Sequence, residues 1–266
     1  NSPIVGLILN LFIGIALGAN VVIANAVGHK DNKTVKKAVH TSIVMAVIGG
    51  ILVTIVGELG IAYLLKSLNV PSDVFKLALL YMRIYLLGMP AILLYNFEAA
   101  IFRSIGDTKV PLQALAISGV LNVLLNLFFV IVLHMTVNGV AIATVIANVV
   151  SSTVLFIKLR KTDKLIHVDI NDLRFSKDTF GKIMRIGLPA GIQSGVFAIA
   201  NIVIQAAINS LGTIVIAASS AALNIEMFAY FVLNSFSQAC TTFTSQNYGA
   251  GNVKRCKKTL LLCIIE

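Results

Sequence analysis

Two pairs of polar side chains recur at a spacing of four residues inside otherwise apolar stretches. Asn122 and Asn126 form the first pair, and Thr144 and Asn148 form the second. Residues four apart lie on one face of a helix, so each pair points amide or hydroxyl oxygens in a single direction. Two adjacent helices of this kind can bind a small hard cation, which prefers oxygen ligands. Hydrogen bonding between helices requires the same residue types and is the alternative interpretation.

One acidic side chain lies far inside the apolar stretch 213–247. Glu226 is about a dozen residues from the first end of this stretch and about twenty from the second. A carboxyl at such a depth is costly unless it faces a cavity or a partner, so Glu226 is a candidate for binding an ion. A structural hydrogen bond to a neighbouring helix is the alternative.

Three more ionisable side chains fall inside apolar stretches. Glu58 and Glu98 lie near the ends of theirs, where both carboxyls are expected to reach water. Arg83 lies about two turns inside and is expected to pair with an acid on a neighbouring helix.

The stretch 185–211 combines regularly spaced glycines with a polar stripe. Glycine at every fourth position allows helices to approach closely, and Pro189 loosens the backbone hydrogen bonds between these glycines. Gln193, Asn201 and Gln205 place polar groups along the same helix, and we predict that they line a central cavity. Ordinary helix packing is the alternative. The glycines are Gly187, Gly191 and Gly195, and the spacing is repeated once by Gly14 and Gly18.

The composition that surrounds these residues is that of a membrane protein. Hydrophobic residues make up 58% of the chain and charged residues only 12%, with a mean hydropathy of +0.92. A soluble domain carries roughly 25% charged residues. Seven stretches reach the ~20 apolar residues that a membrane-spanning helix needs, and an eighth begins near residue 259. The seven are 3–27, 38–65, 75–102, 110–133, 136–157, 185–211 and 213–247.

Lys and Arg collect in alternate connections between these stretches. Loops 28–37, 103–109, 158–185 and 249–258 hold 18 of the 21 basic residues. Because Lys and Arg are enriched in the cytoplasmic loops of membrane proteins, we predict that these four connections are cytoplasmic. The net charge of +10 is therefore explained by Lys and Arg that collect on the cytoplasmic side of a lipid bilayer. We do not interpret it as a sign of nucleic-acid binding.

Two of the basic loops resemble each other. GHKDNKTVKK at 28–37 and GAGNVKRCKK at 249–258 share a Gly, a Lys and a Lys-Lys pair in register when Gly28 is aligned with Gly249. Six predicted spans separate them, so the copies have the same orientation and indicate a parallel repeat about an axis along the membrane normal. Chance similarity of two basic turns is the alternative. We therefore predict an all-α polytopic membrane protein, a two-lobed bundle of transmembrane helices with a parallel pseudo-twofold repeat that is incomplete here.

The domain boundaries follow from this repeat. Residues 1–157 are predicted to form an amino-terminal lobe, 158–184 a cytoplasmic linker, and 185–266 the start of a carboxy-terminal lobe. Because both ends of the chain lie in or at the edge of an apolar stretch, we expect a fragment of a longer protein.

The sequence offers little for metal binding or catalysis. Its cysteines, Cys240, Cys256 and Cys263, are odd in number and form no CxxC motif, so free thiols are expected. No histidines stand at metal-ligand spacing, and neither GxSxG nor HExxH occurs. We predict no metal site and no enzymatic activity, and an intramembrane enzyme ranks low among the alternatives.

Several stretches resemble the multidrug and toxic compound extrusion (MATE) family of transporters. RSIGDTKVP at 103–111 and QNYGAGN at 246–252 are the most specific, and the others are spread in the family's order over nearly the whole chain. Members have twelve helices in two lobes of six, so the resemblance implies that this chain holds helices two to eight and the start of nine. The other stretches are ALGANVVIANAVGHKDNKTVKKA, LNVLLNLFFVIVLHMTVNGVAIATVIAN and IGLPAGIQSG.

The resemblance implies export of organic cations or drugs across the plasma membrane, the inner membrane in bacteria. Inward flow of Na⁺ or H⁺ would drive this export, with no cofactor and with a monomer in the lipid bilayer as the transporting unit. Asn122 and Thr144 match the Asn and Thr of the family's amino-lobe cation site, whereas Asn126 stands where the family has an Asp. Phe197 stands where many relatives have an acid, and Glu226 is our candidate to replace it.

A flippase for lipid-linked oligosaccharides of the same architecture is the alternative function. A flippase for anionic lipids is expected to line its cavity with Lys or Arg, and only Arg83 lies more than one turn inside a predicted span. The sequence therefore favours the antiporter.

Overall fold

The computed structural model describes residues 3–67, 72–209 and 212–265, and these residues form helices and short connections without any strand. A π-helical turn, Phe128–Val132, extends the fifth helix, and a 3₁₀ turn, Ile170–Asp172, lies in the long linker. The predicted all-α fold is confirmed. The helices are α1 Pro3–Gly28, α2 Asn32–Ser67, α3 Ser72–Leu87, α4 Met89–Ser104, α5 Lys109–Leu127, α6 Val137–Lys161, α7 Lys177–Asn209, α8 Thr213–Gly249 and α9 Val253–Ile265.

Five of these helices are long and apolar enough to cross a membrane, or six if the bent pair α3 and α4 counts as one span. Within the ranges described, α8 is not among them, although it forms a single helix of 37 residues over the stretch expected to be the seventh span. The five segments are Ile8–Gly28, Asn32–Lys66, Lys109–Val132, Val137–Lys161 and Lys177–Gln205.

The span predicted over 75–102 is not one straight helix, because the helix breaks at Gly88. The segments Phe75–Leu87 and Met89–Ser104 are bent by 46° at this point. Pro90 has no amide hydrogen to donate, so it is tolerated in the first turn of a new helix and not in the interior of an old one. A side chain at Gly88 would place its Cβ 2.7 Å from a methyl carbon of Val145, so α6 packs closely against the break.

The described helices group into two compact units. Unit 1 comprises residues 1–38, 104–106 and 177–266, and unit 2 comprises 39–103 and 107–176. Unit 1 thus places α1 with α7 and α8, whereas the predicted lobes assign α1 to the other half of the chain. The division into lobes at 157 and 185 stays a prediction.

Glycines explain why α1 packs with α7. A Cβ on Gly14 would meet the backbone of Gly191, and a Cβ on Gly18 would meet the backbone of Ile183 and Gly187. The expected close approach at these glycines is therefore present, and it joins two helices that five other helices separate in the sequence.

The two similar loops come together at a second close crossing in unit 1. A Cβ on Gly28 of α1 would meet the carbonyl oxygen of Gln246, and a Cβ on Gly249 of α8 would meet the carbonyl oxygen of Asn25. The alignment that pairs Gly28 with Gly249 also pairs Asn25 with Gln246. This reciprocal contact is what two equivalent copies of one motif make about a twofold axis, so it supports the repeat over chance similarity.

In unit 2, Arg83 on α3 pairs with Glu58 on α2, with 3.5 Å between Arg83 Nε and Glu58 Oε2. The expected pairing of Arg83 with an acid on a neighbouring helix is confirmed. Outside the spans, Lys164 Nζ lies 2.6 Å from Asp107 Oδ2 and donates a hydrogen bond to it. This bond holds the pKa of Asp107 below its ordinary value.

Candidate functional site

The predicted cation site lies on α5 and α6, which pack together in unit 2. Asn126 Nδ2 donates to Asn122 Oδ1 over 3.0 Å, so the two amides orient each other as their spacing predicts. The carbonyl oxygen of the Asn126 side chain is buried and has no hydrogen-bond partner among the described residues. A buried amide oxygen without a donor is costly, and a bound cation would satisfy it.

The polar side chains of α6 bond within their own helix. Thr144 donates its hydroxyl to the Val140 carbonyl over 2.9 Å, and Asn148 Nδ2 donates to the Thr144 carbonyl over 2.8 Å. These bonds are not the interhelical bonds of the alternative interpretation. They leave the lone pairs of the Thr144 hydroxyl oxygen available to a cation.

Asn138, in the first turn of α6, carries a second buried amide oxygen without a partner in the described part of the chain. The sequence analysis missed it because Asn138 has no polar side chain three or four residues further along α6. An Asn just after the start of an apolar helix is the signal that could have identified it.

The polar stripe of α7 faces outward from unit 1. Gln193 and Asn201 are exposed and Gln205 is half-buried. This placement fits residues that line a cavity. Their role stays a prediction.

Glu226 on α8 is exposed, and no described residue donates a hydrogen bond to it. The structural alternative, a hydrogen bond to a neighbouring helix, is therefore absent from the described contacts. Tyr230 follows one helical turn later and stacks on Phe197 of α7, with ring centroids 6.4 Å apart and an interplanar angle of 8°. Residues four apart share a helix face, so the carboxyl and the aromatic pair lie on one side of α8.

Glu98 on α4 is completely buried, contrary to the expectation that it reaches water near its helix end. The reason is packing, because Phe97, Ala99, Ala100 and Ile101 are buried as well and leave this turn of α4 without an open face. Neither oxygen of Glu98 meets hydrogen-bond geometry with any described group. The hydroxyl of Ser152 on α6 interacts with the carboxyl and is the polar group that faces it.

Comparison with known proteins shows what class of protein has this architecture. A family model described as MatE matches residues 1–128 and 189–265. The probable multidrug resistance protein YoeA of Bacillus subtilis is 26% identical over 267 residues, which cover 97% of this chain and 57% of that protein. The FAD transporter of Shewanella oneidensis is 25% identical over 270 residues, covering 98% and 59%. A crystal structure of MATE in the bent conformation matches with a TM-score of 0.89 at 26% identity, covering 98% of this chain and 59% of that one.

These matches and the apolar helices define a multi-pass membrane protein from a family whose members are transporters and not enzymes. The chain belongs to the MatE family, the multidrug and toxic compound extrusion transporters, as its motifs had indicated. It spans somewhat more than half the length of the curated relatives that it matches.

Proposed function

We propose that this chain is part of a secondary antiporter that exports organic cations across the plasma membrane, the inner membrane of a bacterium, in exchange for H⁺ or Na⁺. The transporter works as a monomer and needs no cofactor besides the coupling ion. The curated relative named a multidrug resistance protein supports this class of function.

The observation that carries the proposal is the group formed by Glu226, Tyr230 and Phe197. An exposed carboxylate beside stacked aromatic rings is the chemistry that attracts an organic cation, because the carboxylate supplies charge and the ring faces attract cations. Arg83, which lies about two turns inside an apolar segment, pairs with Glu58, so its charge is balanced by an acid on a neighbouring helix. The charges within the spans therefore favour cationic substrates.

The coupling ion is proposed to use two sets of groups. Asn122, Asn126 and Thr144 offer amide and hydroxyl oxygens to a cation in unit 2. Glu226 can accept a proton or pair with a cationic substrate but not both, so binding of one promotes release of the other.

The test is dye efflux from proteoliposomes that contain the full-length protein to which this chain belongs. With a pH or Na⁺ gradient, the cationic dye ethidium is expected to be exported, and anionic carboxyfluorescein is not. Glu226→Gln keeps the size of the side chain and is expected to lower ethidium efflux about tenfold or more. Ser235→Ala, another exposed position on α8 whose hydroxyl bonds only its own helix, is the matched control.

Export of carboxyfluorescein without ethidium would contradict the proposal. It would instead favour an anionic substrate, as in the relative named an FAD transporter. Full ethidium efflux by Glu226→Gln would contradict the role of Glu226 alone.

A further inference from the structure

A cavity of about 360 Å³ lies in unit 2, where the basic connections 103–109 and 158–185 come together. Lys158 and Lys161 line it from the last turn of α6, and Lys164 lines it from the linker that follows. Pockets that bind small ligands are of this size. Because both connections are rich in Lys and Arg, this end of α6 is predicted to be cytoplasmic. The cavity contains none of the groups proposed to bind the coupling ion or the organic cation.

The lining of this cavity has an excess of positive charge. Of the described residues that line it, only Asp107 is acidic, and its Oδ2 atom accepts a hydrogen bond from Lys164 over 2.6 Å. Asp163, the neighbouring acid in the linker, is exposed and lies outside the lining. Lys158 and Lys161 form no ion pair with any residue that the structure describes. Two ammonium groups are therefore available to an anionic ligand.

The polar rim of the cavity is fixed by further hydrogen bonds. Asp107 Oδ1 accepts from the backbone N–H of Val110 over 3.4 Å, which anchors the carboxylate at the start of α5. The hydroxyl of Thr162 accepts from the backbone N–H of Lys164 over 3.3 Å. These bonds hold Lys164 in the wall of the cavity, so the charge of a ligand is left to the lysines of α6.

The inner part of the lining is apolar and continues toward the membrane interior. Phe102 of α4 is buried there, whereas Ile157 of α6 is 45% exposed. Ile157 lies four residues before Lys161, and the partly exposed Val154 and Val150 extend the same helix face. At a rise of ~1.5 Å per residue, Val150 is about 16 Å from Lys161, which is half the thickness of the hydrocarbon core of a bilayer. An acyl chain can follow this face from the lysines into the bilayer.

The combination of a basic end and an apolar face distinguishes a phospholipid from a free anion. Two lysines alone would suit inorganic phosphate equally well, but only a ligand with acyl chains can use a face that leads into the bilayer. Basic pockets between helices at the cytoplasmic surface are suited to the headgroups of anionic lipids.

We propose that this cavity binds the phosphate group of an anionic glycerophospholipid, with Lys158 and Lys161 on the phosphate and an acyl chain along Ile157 and Val154. The lipid belongs to the cytoplasmic leaflet and is bound, not transported. Because α4, α6 and the linker all contribute to the lining, the bound lipid stabilises their packing in unit 2.

The experiment titrates the purified full-length protein in detergent with phosphatidylglycerol or with phosphatidylcholine of the same acyl chains, and native mass spectrometry measures the bound lipid. Wild type is expected to bind phosphatidylglycerol at least about tenfold more tightly than phosphatidylcholine. Lys158→Gln/Lys161→Gln is expected to lose this preference, and Lys158→Arg/Lys161→Arg to keep it. Lys254→Gln/Lys257→Gln is the matched control, because it also removes two exposed lysines three residues apart, on α9.

Thermal unfolding of the same proteins is a second readout. Phosphatidylglycerol is expected to raise the unfolding temperature of wild type and of the α9 control more than phosphatidylcholine does, and to lose this advantage in Lys158→Gln/Lys161→Gln.

Four results would overturn the proposal. The first is equal affinity of wild type for the two lipids, and the second is an equal loss of preference in the α9 control, which would assign the effect to net charge. The third is displacement of phosphatidylglycerol by an equal concentration of inorganic phosphate, since the acyl chains would then contribute nothing. The fourth is a less stable Lys158→Gln/Lys161→Gln with unchanged lipid preference, which would limit these lysines to stabilising the end of α6.

Discussion

Unit 1 and unit 2 differ in how their helices pack and in how exposed their acidic side chains within the apolar helices are. In unit 1 the backbones of α1, α7 and α8 meet at glycines, and the acidic side chain Glu226 is exposed. In unit 2 the acidic side chain Glu98 is completely enclosed, and a broken helix, α3 with α4, packs against α6.

The difference indicates what each unit is suited to bind. An exposed carboxylate beside aromatic rings can receive a large cation without rearrangement of the backbone. An enclosed carboxyl with one hydroxyl beside it can receive only a proton unless its helices separate. We therefore propose that unit 1 recognises the organic cation, and the following predictions test how packing and charge differ between the two units.

The largest effect is expected from filling a glycine crossing in unit 1. Gly14→Ala places a methyl group against the backbone of Gly191, and backbone atoms cannot rotate away as a side chain can. We therefore expect the unfolding free energy to fall by at least about 1–3 kcal/mol. Gly119→Ala in unit 2 is the control, because no atom lies within 4 Å of its added Cβ. This control is expected to gain about 0.5–1 kcal/mol from helix propensity. Thermal unfolding in detergent measures the stability of both variants and of the wild type. Equal unfolding midpoints for Gly14→Ala and Gly119→Ala would contradict the close crossing of α1 and α7.

The second prediction compares the buried carboxyl of Glu98 with the exposed carboxyl of Glu226. Glu98→Met replaces a buried carboxyl that has only the Ser152 hydroxyl beside it with an apolar side chain of similar length, and we expect the unfolding free energy to rise by about 1–3 kcal/mol. Glu226→Met changes an exposed position and is expected to stay within about 0.5 kcal/mol of wild type. A loss of stability in Glu98→Met would show that the interaction of the carboxyl with Ser152 outweighs the cost of burying it.

The smallest effect concerns the connection between α4 and α5 in unit 2. The Asp107 pKa is below its ordinary value of 3.8, so the Asp107–Lys164 pair stabilises the fold above that value and loses its effect as the pH falls through the lowered pKa. Lys164→Ala is expected to cost less than about 1 kcal/mol at neutral pH, since Lys164 is largely exposed and its charge is screened.

Acid unfolding followed by circular dichroism checks this prediction. Lys164→Ala should begin to unfold at a higher pH than wild type. Lys161→Ala removes the same charge without removing the pair and serves as the control. If the two variants unfold at the same pH, net charge and not the pair explains the effect.

Much of the architecture could be predicted from local sequence patterns. Long apolar stretches predicted the helices and the membrane class, and motifs such as RSIGDTKVP predicted the family. The alignment of two basic loops predicted an equivalence that the reciprocal contact of Gly28 and Gly249 supports. The pairing of Arg83 with an acid also followed from the cost of an unpaired charge.

The burial of individual side chains could not be predicted in the same way. Glu98 lies near a helix end in sequence, yet buried neighbours on its own turn of α4 leave no path to solvent. Asn138 has no polar side chain three or four residues further along α6, yet its amide oxygen is buried. Proximity to a helix end or polar spacing along one helix says nothing about which other helix covers that face.

The sequence by itself therefore determined that the chain is a membrane protein, which segments are helical, and to which family it belongs. It could do so because the length of apolar stretches, the charge of loops and short motifs are local properties. The tertiary structure alone decided that α1 packs with α7 and α8, that the helix breaks sharply at Gly88, and that Glu98 is enclosed while Glu226 is exposed. The physical reason is that burial depends on contacts between helices far apart in the chain, and such contacts leave no periodic signal in either helix alone.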